Sequence, residues 1–150
     1  MNIVKLIEQY NENNVILCEP IKNNIMNEGS FIRLLYSDPN CILNGIYLLF
    51  SINDITCEKY YSKFKCIFNT LNYKGLIESI KIIEENLLKK CRITTNKIPQ
   101  YKINEQLKNG NIKIFNEIEN KSNCSFILKI SGIWETHSNY GLTYKFMKVN

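Results

Sequence analysis

Four stretches of this chain set a lysine within a residue or two of an aromatic ring: Lys59-Tyr60-Tyr61-Ser62-Lys63-Phe64-Lys65, Tyr101-Lys102, Lys113-Ile114-Phe115 and Tyr144-Lys145-Phe146-Met147-Lys148. Single-stranded nucleic acid asks for this combination. Its phosphates need cations, and each unpaired base gains about 1 to 3 kcal/mol by stacking on a flat ring. The candidate contacts are therefore Tyr61, Lys63, Phe64, Lys65, Tyr101, Lys102, Lys113, Phe115, Tyr144 and Lys145, with Trp134, the sole tryptophan, beside them. Arg33 and Arg92 are the only arginines. Bidentate guanidinium reading of bases is thus poorly supplied, and the expected binding is indifferent to sequence. The competing reading is structural, because strand aromatics also fill cores. Trp134 in particular serves either as a core anchor, its indole N–H bonded to backbone, or as a base platform.

Other chemistries lack their parts. The one histidine, His137, falls in a polar connector, a poor home for a preorganised base, so neither a Ser-His-Asp nor a Cys-His mechanism is expected. Asp38 and Asp54 are the only aspartates, which argues against a two-metal carboxylate cluster. Neither a G-x-x-x-x-G-K-[ST] nor a G-x-G-x-x-G phosphate loop occurs. The six cysteines, Cys18, Cys41, Cys57, Cys66, Cys91 and Cys124, contain no C-x-x-C pair, and they read as reduced thiols rather than zinc ligands or disulfides. No catalytic residue, metal or cofactor is expected.

These contacts need elements to carry them. At 150 residues and 45% hydrophobic content the chain reads as one domain, residues 1–150, with residues 1–30 an N-terminal extension. There Asn2 caps a short helix bearing Ile3, Val4, Ile7 and Tyr10, and Val15 to Cys18 forms a strand. The runs Phe31 to Tyr36, Ile42 to Ile52 and Lys63 to Asn69 predict three strands of a meander. Asp38-Pro39-Asn40 is a turn, and Gly45 marks a bulge or sharp bend. Leu76, Ile80, Ile83 and Leu87 recur at helical spacing within a helix from about Leu71 to Lys90, capped by Thr70 or Asn72. Lys97 to Lys102 is extended around Pro99, and Asn109-Gly110 turns the chain into a strand from Ile112 to Phe115. After a polar loop from Glu117 to Asn123, Phe126 to Glu135 and Tyr140 to Val149 make a hairpin around Thr136 to Asn139. Simple alternation puts Phe126, Leu128, Ile130 and Trp134 on one face, with Ile127, Lys129, Ser131 and Ile133 on the other. The expected fold is mainly β with one long helix, an OB-fold-like five-stranded Greek-key barrel, with an α+β sandwich as the alternative.

The formal charge of +5 suits a polyanionic partner without demanding one, and no apolar run reaches membrane-spanning length. The absence of alanine and the excess of Asn, Ile, Lys, Tyr and Phe report an A/T-rich coding sequence. The closing GIWETHSNYGLTYKF and the upstream KIPQYKINEQLKNGNIKIF, with the chain's length, coding bias and order of elements, resemble the single-stranded DNA-binding proteins of yeast cytoplasmic linear (killer) plasmids. More distantly the chain is similar to OB-fold single-stranded DNA-binding proteins of large cytoplasmic DNA viruses. That resemblance implies a cytoplasmic protein coating displaced strands during replication, with Trp134, Tyr144 and Lys145, and more loosely Tyr101, Lys102 and Phe115, at the DNA. It implies a replication DNA polymerase or terminal protein as partner, although the basic ending FMKVN departs from the acidic tail through which such proteins recruit partners. RNA as a ligand and a homo-oligomeric state stay open. The alternative function is a structural or protein-interaction component of a virus or plasmid system, with the hairpin as a docking edge.

Overall fold

The computed structural model describes residues 4–22, 29–91, 96–115 and 123–149. In chain order its elements are β1 (Lys5–Leu6), β2 (Val15–Leu17), β3 (Ile21–Lys22), β4 (Ser30–Ser37), β5 (Ile42–Leu43), β6 (Ile46–Asn53), β7 (Thr56–Tyr60) and β8 (Lys63–Ile67). Then follow α1 (Lys74–Lys90), β9 (Ile98–Gln100), α2 (Lys102–Lys108), β10 (Asn111–Ile114), β11 (Asn123–Glu135) and β12 (Asn139–Val149). The protein is mainly β with one long helix.

Strand β11 organises the larger sheet. It pairs antiparallel with β12 from Ser125↔Val149 to Glu135↔Tyr140, while its other edge is shared end to end by β6, up to Ile130↔Ile46, and β4, from Gly132↔Arg33. A strand of 13 residues is long enough to take all eight residues of β6 and then Ser30 to Arg33, the first half of β4, in tandem. The three runs expected to form a meander are strands, but they do not pair in succession. The first two lie on β11, and the third, β8, sits in a separate three-stranded sheet between β7 and β10. Among the described residues both sheets are open, so hydrogen bonding does not close the expected five-stranded barrel. The segment Asn53 to Tyr61, expected to be a connector, contains β7.

A bulge between Ile130 and Gly132 corrects the expected faces of β11. Phe126, Leu128 and Ile130 are buried as alternation requires, but the extra residue reverses the parity beyond it. Ile133 therefore enters the core with no exposed surface, and Trp134 turns to the outer face, where its ring lies over Gly141. Inward residues of both sheets and both helices form one cluster that includes Leu48, Phe50, Cys66, Ile80, Leu87, Ile112, Phe126 and Phe146.

Helix α1 begins three residues later than its periodicity suggests, because Thr70–Tyr73 forms a 3-10 turn capped by Asn69, whose Oδ1 accepts from the Leu71 N–H at 3.0 Å. Ile80, Ile83, Leu87 and Leu88 form its buried stripe. At the N-terminus, Lys5–Leu6 is a short strand parallel to β6 and Ile7–Gln9 a 3-10 turn, in place of the expected helix, whose Asn2 and Ile3 lie outside the described residues. The polar loop expected from Glu117 also lies outside them up to residue 122. The turns fare better. Asp38 Oδ1 accepts from the Asn40 and Cys41 N–H groups at 2.8 and 3.0 Å, and Gly45 sits in a bend at φ +123°. The Asn40 N–H, then the Lys5 ammonium, hold the Asp38 carboxyl down to about 2.

Helix α2 is absent from the sequence reading, although Ile103 and Leu107 are buried at i,i+4. It is anchored by Glu84, a buried carboxylate on α1 that accepts from the Ile103 and Asn104 N–H groups at 3.0 and 2.9 Å. Burial pushes the Glu84 pKa up, against these two bonds, which favour the anion. Replacing it by Leu removes both acceptors from an enclosed place. Glu84→Leu is expected to lower unfolding free energy by about 2 kcal/mol in urea titrations, and Glu84→Gln, which keeps one acceptor oxygen, by less. An unchanged midpoint in Glu84→Leu would show that the carboxylate does not hold α2.

Candidate nucleic-acid interface

The small sheet builds a face of alternating cations and rings. Tyr61 and Ser62 turn β7 back on β8, with Tyr61 at φ 56°. The ladder then sets Cys57, Cys66 and Ile112 in one inward row and Glu58, Lys65 and Lys113 in the adjacent outward row. Tyr60 is opposite Lys63 on the outer face. The lysine ammonium groups sit near the rings: Lys113 is 5.1 Å and Lys65 6.0 Å from the Tyr60 centroid, and Lys63 is 5.0 Å from that of Phe115. Phe115 is 60% exposed, Tyr60 43% and Tyr61 84%, with Tyr60 and Tyr61 edge-to-face at 4.9 Å. Rings left in water at this density are available to stack.

β10 runs beside β12, and between them is a groove of about 290 Å³ lined by Lys63, Gln106, Lys113, Phe115, Tyr144 and Lys145. A second hollow of about 240 Å³ adjoins it along α2, where Lys102 and Glu105 meet Gln106, Lys113 and Tyr144. Lys102 is paired with Glu105 at 3.7 Å, whereas Lys63, Lys65, Lys113 and Lys145 make no ion pair among the described residues. Their charges remain open to an anion. A cleft of about 390 Å³ lies elsewhere between α1 and α2 around Lys74, Ile77, Glu78, Lys81 and Lys108, and among the described residues no aromatic ring lines it.

The candidates sort by these positions. Lys63, Lys113, Phe115, Tyr144 and Lys145 are brought together at the groove, with Lys65 on the adjoining sheet face, Tyr61 in the turn at the end of that sheet's hairpin and Lys102 on the neighbouring hollow. Phe64 alternates inward with Cys66 and packs, half-buried, against the core rather than standing on the outer face. Tyr144 is at the groove wall but is committed: its hydroxyl donates to Gln106 Oε1 at 2.8 Å, and burial raises its pKa to about 12. It fixes α2 against β12 rather than offering a free ring. Tyr101 precedes α2, and Trp134 lies on the outer face of the large sheet; neither lines the groove. Tyr60, not among the expected contacts, joins this face because its separation of three from Lys63 across a two-residue turn places it opposite that lysine. Gln106 carried no signal, because α2 itself was not expected.

Cys57 and Cys66 face each other across the hairpin as thiols, with sulfurs 3.5 Å apart. Among the described residues no group of His, Cys, Asp and Glu could hold a metal ion, and no helix is long and apolar enough to cross a membrane. His137 is exposed in the β11–β12 connector. No family model, curated protein or solved structure matches the chain.

Proposed function

We propose that the protein binds single-stranded nucleic acid without sequence preference, as a non-catalytic coat for displaced strands during replication of a cytoplasmic DNA element. The observation that carries this reading is Phe115, an exposed ring at the mouth of a groove whose wall holds Lys63, Lys113 and Lys145 with no paired carboxylate among them. Phosphates meet the three ammonium groups while bases stack on Phe115 and Tyr60. An OB-like layout, with the small sheet rolled against β12 across the groove, belongs to this proposal, as does contact with a replication polymerase or terminal protein. The competing role of a protein-interaction component without nucleic acid asks for inward aromatics and evenly spread lysines. The outward rings of Tyr60, Tyr61 and Phe115 favour the first reading.

Stacking and charge leave separable signatures. Phe115→Ala is expected to weaken oligo-dT binding about tenfold with the salt dependence unchanged, within the roughly 1 to 3 kcal/mol of a lost base–ring contact. Lys113→Gln weakens it about fivefold and lowers the slope of log affinity against log salt by about 0.7. Fluorescence titration over a salt series reads both. A neutral Phe115→Ala overturns the stacking role.

A further inference from the structure

We propose that the binding path continues past the groove, across the outer face of the large sheet, to a second stacking subsite formed by Tyr47 and Lys129. This extends the reading above and rests on it.

Lys145 joins the two regions. It lines the groove beside Lys113 and Phe115, and in the large sheet it stands directly opposite Lys129 on β11, which stands directly opposite Tyr47 on β6. Residues directly opposed across a ladder share a face, so the three form one row over β12, β11 and β6. That face is the outer one, since the neighbours Leu128, Ile130, Phe146, Ile46 and Leu48 are buried on the other side. Lys129 Nζ is 5.6 Å from the centroid of the half-buried Tyr47 ring, a cation–ring contact like that of Lys63 on the more exposed Phe115. Arg33, opposite Gly132 in the next row, adds a third cation to this face.

The sign of the face is consistent along its length. In β4, β6, β11 and β12 the only acidic residue is Glu135, and it belongs to the opposite face, tied to Lys97 and to Ser30. An anion crossing these strands thus meets Lys145, Lys129 and Arg33 without an opposing carboxylate on the strand positions. From Tyr60 on β7 to Tyr47 on β6 the path crosses four hydrogen-bonded strand spacings of about 4.8 Å each, with the groove between β10 and β12 in addition, so it is longer than roughly 19 Å. A strand of several nucleotides fits such a track, within the about 4 to 16 nucleotides that single-stranded-binding folds of this size occupy.

The test uses the full chain and two labelled oligo-dT ligands, of about 4 and about 16 nucleotides. The short one is satisfied in the groove, and only the long one reaches the second subsite. Tyr47→Ala and Lys129→Gln are each expected to weaken the long ligand about fivefold to tenfold and to leave the short one within about twofold. Lys113→Gln weakens both. Equal loss at both lengths, or none at either, overturns the extension while the groove stands. If the unaltered protein binds neither ligand, the groove reading falls and the extension with it. Lys129→Gln is a surface exchange, so it keeps the test readable even if Tyr47→Ala unfolds the chain.

Discussion

The triple exchange Lys63→Gln, Lys65→Gln and Lys113→Gln is expected to lower affinity for oligo-dT about a hundredfold near 0.1 M salt, with the fold intact. Each neutralised phosphate on a single strand releases about 0.7 of a counterion, worth about a fivefold change in affinity at that salt. Three such contacts multiply to roughly a hundredfold and flatten the salt slope by about 2. The three side chains lie on the outer face of the small sheet and make no ion pair among the described residues, so removing their charge costs only the ring contacts with Tyr60 and Phe115. Circular dichroism and thermal melting should therefore match the unaltered protein. A triple variant that binds as tightly as the original removes the small sheet from the site.

The second large effect concerns the frame. Gly132→Ala is expected to destabilise the protein by about 3 kcal/mol. A Cβ there would stand 2.3 Å from the Ile32 carbonyl oxygen and 2.5 Å from the Phe31 ring, and the first of these is backbone. Ile32 is buried and pairs with Ile133, so β4 cannot recede without opening the core row next to the bulge. Overpacking of a fixed neighbour commonly costs about 1 to 3 kcal/mol, and the upper end applies where the neighbour is a ladder carbonyl. Gly75→Ala is the contrasting control. Nothing lies within 4 Å of its Cβ position in the first turn of α1, and the exchange should stabilise by about 0.5 to 1 kcal/mol. Denaturant midpoints with unchanged m-values report both. A Gly132→Ala loss under about 1 kcal/mol would mean that β4 is freer to shift than this packing allows.

Local rules recovered the elements better than their partnerships. The closing hairpin, α1 and the Asp38 and Asn109-Gly110 turns are set by neighbours in sequence, through alternation, helical spacing and residues that bond their own backbone. Which strands pair is decided by the length of β11, and no pattern within β4 or β6 announces that both will share one edge. The parity of Trp134 was misjudged for a related reason. A bulge is one residue long, and Ser131-Gly132 offers only a glycine as a hint. Helix α2 escaped because its seven residues carry just Ile103 and Leu107 as an apolar pair, and its anchor, Glu84, is contributed by a different helix. At the candidate site, lysine–aromatic spacing picked out residues that lie together on the small-sheet face, yet it could not separate Phe64, which alternates inward, from Lys63 and Lys65, which alternate outward. It also could not connect Lys129 to Tyr47, far apart in sequence, because only the ladder makes them neighbours.

The most direct test of the account is a titration of the unaltered protein with oligo-dT and with a duplex of equal length, each between about 50 and 200 mM salt. The account predicts at least a tenfold preference for the single strand. It also predicts log affinity falling with log salt at a slope near −2 to −3, as three or four phosphate contacts at about 0.7 each require. Affinity indifferent to salt, or equal affinity for the duplex, would contradict it.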